Sequence, residues 1–132
     1  HNLIPIVQGD VIFDDVLGGT IFSTEKIFFH LSERLHPQRI LLAGQDPGVY
    51  RYPGKNQSIV SKITPGNIDA ILPSLSGAEA ADVTGGMLSK IQWMLTLVES
   101  QPELEVQVFS GAVPGQITRA LSGEGFGTQV VA

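Results

Sequence analysis

Asp82-Val83-Thr84-Gly85-Gly86-Met87-Leu88-Ser89-Lys90 is the stretch on which the reading of this chain turns. Two adjacent glycines follow an Asp and a Thr, residue types that favour helix N-caps. Apolar residues at helical spacing come next: Met87, Ile91, Met94, Leu95 and Val98. The spacing predicts a Thr84-capped helix reaching about Ser100. The start of such a helix offers unpaired N–H groups and the positive end of its dipole, both of which hold anions. Glycine lets a bulky anion approach the backbone with no Cβ in the way. Lys90 lies one turn past Gly86 and can reach back over the same mouth, or it is a solvated lysine on an amphipathic face. The phosphate-loop pattern G-x-x-x-x-G-K-[ST] is absent.

Outward from this stretch, strand and helix signals alternate. Residues 3–7 are β-rich and interrupted by Pro5, as an early strand tolerates. Residues 11–13 and 20–22 flank a turn-rich Asp14-Asp15-Val16-Leu17-Gly18-Gly19 and predict a β-hairpin. Ser23 or Thr24 caps a helix to about Leu35 with Ile27, Phe28, Leu31 and Leu35 on its apolar face. Residues 39–43 form a continuous apolar run, expected as a fully buried strand. Residues 44–57 read as a loop and 59–63 as a strand. Pro65 opens a short helix to about Leu72, and the small residues 74–81 make a linker. Residues 104–109 predict another strand. Pro114 suits the first position of a helix ending near Leu121. Gly123, Gly125 and Gly127 turn the chain into a last strand, 128–131. Alternating elements of this kind imply a layered α/β fold with a largely parallel sheet.

Bulk properties narrow the function. The 132 residues carry a net charge of −5 and no basic cluster, which argues against nucleic acid. An acidic balance still permits phosphate binding through a few cations and backbone N–H groups. With no Cys, disulfides and thiolate metal sites are excluded. No apolar run approaches membrane-spanning length and no signal peptide is visible, so a cytoplasmic location is expected. A start at His1 rather than Met is expected of a fragment or cleaved product of a longer protein.

Asp82-Val83-Thr84-Gly85-Gly86-Met87 followed by Lys90 resembles the nucleotide-side motif of the amino-acid kinase superfamily. The branch it is most similar to is that of the isopentenyl phosphate kinases, with the fosfomycin-resistance kinases nearby. Other pieces resemble the family in the same order. Gly9-Asp10-Val11 with Gly19-Thr20-Ile21-Phe22-Ser23 resembles its mid-chain hairpin and the strand leading into a helix. Arg39-Ile40-Leu41-Leu42 with Gly48-Val49-Tyr50 resembles the strand and loop that meet the nucleotide. Phe109-Ser110-Gly111 and Gly127-Thr128 resemble its last two strand signatures.

The resemblance implies an αβα sandwich in which residues 1–132 are one ATP-binding half, the acceptor-binding N-terminal half being absent. It implies an ATP-dependent kinase that passes the γ-phosphoryl group to a small phosphate monoester such as isopentenyl phosphate, with Mg²⁺ accompanying ATP. A carboxylate or fosfomycin-type acceptor is the alternative within the family. By the same resemblance Lys90 contacts the ATP phosphates, while Gly85, Gly86 and Met87 shape that site. Gly44, Gln45, Asp46, Gly48, Val49 and Tyr50 form the nucleotide loop. Gly9, Asp10, Ser23 and Thr24 lie on the acceptor side. Glu25 falls where the family has an acid that orients catalytic lysines, or it is simply a first-turn acid favoured by the helix dipole.

The chain departs from the family at the nucleotide loop. Where the family reads Thr-Asp-Val-Asp-Gly-Val-Tyr, it has Gly44-Gln45-Asp46-Pro47-Gly48-Val49-Tyr50, with a carboxylate lost or shifted and Pro47 stiffening the backbone. That departure supports the rival reading, a nucleotide-sensing or assembly domain without catalysis. Tyr50 and Tyr52 can stack on an adenine or stay as exposed loop tyrosines. Asp10, Asp14 and Asp15 can assist Mg²⁺, although turn chemistry accounts for them more simply. His1, His30 and His36 read as surface or helix-end residues, and no metal ligand is assigned. A separated half would bind nucleotide at best and turn over nothing. It would expose a sheet edge and an apolar flank, so self-association or a missing partner segment is expected, and a homodimer when full length.

Overall fold

The structure is a computed structural model that describes residues 3–51, 58–75 and 83–132; the side chains of 74, 75 and 83–85 are not described. Asp82, Tyr52 and residues 76–81 of the linker expected over 74–81 therefore lie outside it. The chain divides into two compact units, His1–His36 and Pro37–Ala132.

The first unit holds the expected hairpin. Strands β1 (Asp10–Ile12) and β2 (Thr20–Phe22) pair antiparallel, with Val11 opposite Ile21. Asp14 Oδ1 accepts from the Val16 and Leu17 amides at 2.9 and 2.8 Å, and Gly18 takes φ +74. Turn chemistry thus accounts for this aspartate. Helix α1 (Thr24–Leu35) begins at Ser23, whose side chain accepts from the Lys26 amide, and stops at His36 in the left-handed region, φ 45.

Two expectations fail in this unit. Residues 3–7 form no strand, because among the described residues nothing pairs with their backbone, and Leu3 and Ile6 are exposed. The second is the apolar stripe of α1, which is only half-buried at Ile27, Phe28 and Leu31 and exposed at Leu35, whereas Glu25 and Ser32 are buried. Ser32 tolerates burial because its hydroxyl donates to the Phe29 carbonyl at 3.0 Å.

The second unit is built on a four-stranded sheet. Strands β3 (Arg39–Gly44), β6 (Lys62–Ile63), β7 (Glu105–Ser110) and β8 (Thr128–Val130) lie in the order β3-β7-β8-β6. The β3–β7 and β6–β8 pairs are parallel and β7–β8 is antiparallel. The expected α/β class with a mostly parallel sheet is thus present, flanked by helices α2 (Ile68–Leu75), α3 (Val83–Ser100) and α4 (Gln116–Leu121). The core lies between β7 and α3: Phe109, Val106, Ile91, Met94, Leu97 and Val98 are all fully buried.

Central position explains β7, whose residues are buried from Val106 to its end. Gln107 is buried among them because it is satisfied: it accepts from Arg39 at 2.8 Å and donates to the Glu124 and Phe126 carbonyls. The expectation of a fully buried strand at 39–43 is corrected. In this sheet β3 is an edge strand, and only Ile40 is buried along it.

The strand expected over 59–63 is divided. β5 (Ser58–Ile59) pairs with β4 (Tyr50–Arg51), inside the expected loop, as a separate ribbon, and the chain then enters the sheet as β6. Helix α2 begins after Pro65, because Asn67 closes a turn on Thr64, its Oδ1 accepting the Thr64 amide at 2.8 Å. It runs through Pro73 to Leu75, past the expected end and into the expected linker. Thr84 lies inside α3 rather than capping it. Pro114 precedes α4, whose N-cap is Gly115 at φ 82.

Candidate functional site

In the first unit the structure brings Gly9, Asp10, Ser23 and Thr24 together. The Gly9 amide donates to Thr24 Oγ1 at 2.8 Å. A Cβ at Gly9 would stand 2.7 Å from the Thr24 nitrogen and 2.9 Å from the Phe22 oxygen, so only glycine permits this approach. Asp10 opens β1 opposite Phe22, and its Oδ1 accepts from the Val11 amide. Ser23 and Thr24 form the start of α1, and buried Glu25 stands in its first turn. The helix start is positive, which suits a carboxylate there.

In the second unit the predicted loop leaves β3 at its C-terminal end, beside the C-terminal end of β7. Ligands of open α/β sheets bind outside the carboxyl ends of strands. The Gly111 amide donates to the Gly44 carbonyl at 2.8 Å, and the Ser110 hydroxyl donates to the Gln45 carbonyl at 2.9 Å. Gly44, Gln45 and Asp46 are exposed and Tyr50 is half-buried. Gly48 and Val49 are buried, so these two shape the loop from beneath rather than offering side chains to a ligand.

Two positions explain this packing. A Cβ on Gly48 would meet Thr128 Oγ1 at 2.8 Å. One on Gly127, at φ +72, would lie 2.2 Å from the Val108 oxygen and 2.8 Å from the Pro47 oxygen. The Phe109-Ser110-Gly111 and Gly127-Thr128 signatures therefore anchor the loop, a role that neighbouring residues in sequence do not reveal.

Gly85, Gly86 and Met87 occupy the first turn and a half of α3. Gly86 is exposed, and a Cβ there would meet nothing within 4 Å, so that side of the helix start is open. Lys90 is exposed and four residues on, hence on the same helix face, with its stem leaning towards the N-terminus. An open cleft of about 520 Å³ is lined by Arg51, Ile59, Val60, Lys62, Asn67 and Ile71 among others. A shallower one of about 210 Å³ lies along α3 at Ser89, Gln92, Trp93 and Thr96. Gly86 and Lys90 line neither cleft. Arg51 and Lys62 carry no signal in the sequence, since the cleft they line forms only where the β4–β5 ribbon and β6 are placed by the fold.

Among the described residues no group of three His, Cys, Asp or Glu side chains could hold a metal ion, and no helix is long and apolar enough to cross a membrane.

Comparison with known proteins bears on both units. The sequence profile of the amino acid kinase family matches residues 1–110. The isopentenyl phosphate kinase of Methanothermobacter thermautotrophicus is 40% identical over 127 residues, covering 94% of this chain and 47% of that protein. The isopentenyl phosphate kinase of Methanocaldococcus jannaschii is 34% identical over 130 residues, covering 98% of this chain and 46% of that protein. A crystal structure of an isopentenyl phosphate kinase superposes with a TM-score of 0.67 at 29% identity, covering 93% of this chain and 44% of that one. The chain spans about half the length of the curated relatives it matches.

Proposed function

Because the chain belongs to the amino acid kinase family, we propose that it is the nucleotide-binding part of a kinase that transfers the ATP γ-phosphoryl group to a small phosphate monoester such as isopentenyl phosphate. The observation that carries this reading is the 40% identity to an isopentenyl phosphate kinase across 94% of the chain. The open face at Gly86 with Lys90 one turn behind it supports the reading.

Phosphoryl transfer is mainly positioning and charge stabilisation. The first-turn N–H groups of α3 and the Lys90 ammonium would face the ATP phosphates, the ammonium countering charge that grows on the transferring group. An acceptor phosphate oxygen attacks the γ-phosphorus in line, the bond to the β,γ-bridging oxygen breaks, and ADP leaves. Glu25 would orient cationic groups on the acceptor side, where Gly9, Asp10, Ser23 and Thr24 form the wall. Asp10 and Asp14 each commit a carboxylate oxygen to backbone amides. These residues make no ready metal cage, and Mg²⁺ would arrive on the ATP phosphates.

The rest of such a kinase, about as long again as this chain, would cover the exposed apolar residues of the first unit, and a homodimer is the expected full-length state. A second reading, nucleotide sensing without turnover, is favoured by the altered Gln45-Asp46-Pro47 loop. Calorimetric titration of the native protein with MgATP, followed by a coupled ADP-release assay with isopentenyl phosphate, separates the two. Binding with turnover supports the kinase; binding without turnover supports the sensor; no heat and no thermal stabilisation removes both.

A further inference from the structure

The base of the β4–β5 ribbon is joined in an unusual way. Tyr50 pairs with Ile59 and Arg51 with Ser58, so the next step of the ladder sets Val49 against Val60. A hydrogen-bonded antiparallel pair exchanges two N–H···O bonds. One is direct: the Val60 amide donates to the Val49 carbonyl at 2.8 Å. The other is relayed. The Val49 amide donates to Thr128 Oγ1 at 2.8 Å, and the Thr128 hydroxyl donates to the Val60 carbonyl at 2.7 Å. A hydroxyl can do both at once. Thr128 is fully buried, so no water replaces it.

We propose that Thr128 is a positioning residue: its hydroxyl, inserted into the ladder, holds the base of the ribbon apart and so sets the nucleotide loop and the cleft beside it. The proposal rests on the nucleotide reading of residues 44–50 given above. Val60 is itself a wall of the larger cleft, and Val49 is the last loop residue before the ribbon. Gly48 clears the space that the hydroxyl occupies, since a Cβ there would stand 2.8 Å from Thr128 Oγ1. Ser110 pegs the other end of the same loop through Gln45. Without the hydroxyl, the ladder either closes to a direct bond, narrowing the ribbon base, or leaves a buried N–H and C=O unpaired. Either outcome moves the loop.

The test compares Thr128→Val, which keeps the shape and removes the hydroxyl, with Thr128→Ser, which keeps the hydroxyl, in the native protein. In Thr128→Val, amide exchange at Val49 is expected to quicken by about tenfold or more, and KM for MgATP to rise about tenfold, the worth of one buried hydrogen bond. The kcat and the acceptor KM are expected to hold within about twofold on the same grounds. Thr128→Ser should match the unaltered protein in each measurement. Loss of kcat together with a rise in both KM values would mean a merely structural role and overturn the proposal. If Thr128→Val does not fold, Thr128→Cys, a weaker hydrogen-bonding group of similar size, is read in the same assays, and an unchanged KM for MgATP overturns it. Absence of MgATP binding in the unaltered protein overturns the nucleotide reading, and the positioning role with it. Val49 exchange indifferent to Thr128→Val overturns the wedge alone.

Discussion

The units His1–His36 and Pro37–Ala132 are both supplied with large apolar residues and dispose of them in opposite ways. Every buried apolar side chain among the described residues belongs to the second unit. In the first, Leu3, Ile6, Phe13 and Val16 are each more than 80% exposed, and Glu25 and Ser32 are the only buried residues among those described. The difference follows from how many neighbours each unit can recruit. A four-stranded sheet with an amphipathic helix on it closes a core. A two-stranded ribbon and one helix do not, and such a ribbon is marginal by itself. Apolar patterning states what is to be buried; it does not supply the surface that buries it.

Amide exchange on the 132-residue chain is the sharpest way to break this comparison. Amides of β7 should open only with the whole second unit, while Val11 and Ile21 should exchange near the unfolded rate. The ratio is expected to exceed about a thousandfold, since local openings span from near zero to the global free energy. Equal protection in the two regions would erase the distinction. Truncation of side chains comes next. Phe109→Ala should cost about 3–5 kcal/mol in urea unfolding, for a fully buried ring that also meets Phe126 edge-on at 5.2 Å. Phe13→Ala should change stability by no more than about 0.5 kcal/mol, as surface substitutions do.

Lys90→Met tests the phosphate-facing role proposed for the second unit. In the native protein, kcat should fall about a hundredfold or more, the usual loss when one charge-stabilising group is removed. The melting temperature should hold, because Lys90 is exposed. Unchanged turnover would remove Lys90 from the mechanism.

The smallest effects are with pH. Bonds from the Leu17 and then the Val16 amide hold the Asp14 carboxyl below its ordinary 3.8. Hydrogen bonding to Arg119, and then its charge, holds the Glu124 carboxyl below 4.5. Both pKa values are lower when folded. The contributions are therefore complete above the ordinary values and fade as pH falls through the folded ones. Amide shifts of Val16 and Leu17 should titrate with a midpoint below 3.8, and the Arg119 Nε–H signal with a midpoint below 4.5. Movement near neutral pH would contradict both contacts.

Several elements were legible in the residues because their causes are local. Ser23 caps α1 with its own side chain, and Asp14 with Gly18 closes the hairpin turn. The run from Met87 to Val98 marks α3 by its period, although Leu97, off the expected stripe, is fully buried too. Other features had distant causes. Residues 39–43 look like an interior strand, and their exposure was decided by strand order, which puts β7 in the middle. Residues 59–63 look like one strand; that the chain changes partners at Val60 depends on where β8 lies. The grouping of Gly9 with Thr24 was foreshadowed by motif order, whereas the Arg51–Lys62 cleft had no signal in the sequence.

The sequence by itself determined the local grammar of this protein: where α1 is capped, where the hairpin turns, and the apolar period that marks α3. Each of those follows from backbone preferences and side chains a few residues apart. Tertiary structure alone decided which strand is central, which apolar residues find cover, and that a threonine 79 residues from Val49 completes its hydrogen bonding. Burial and relayed hydrogen bonds are properties of neighbours in space, and chain order does not say who those neighbours are.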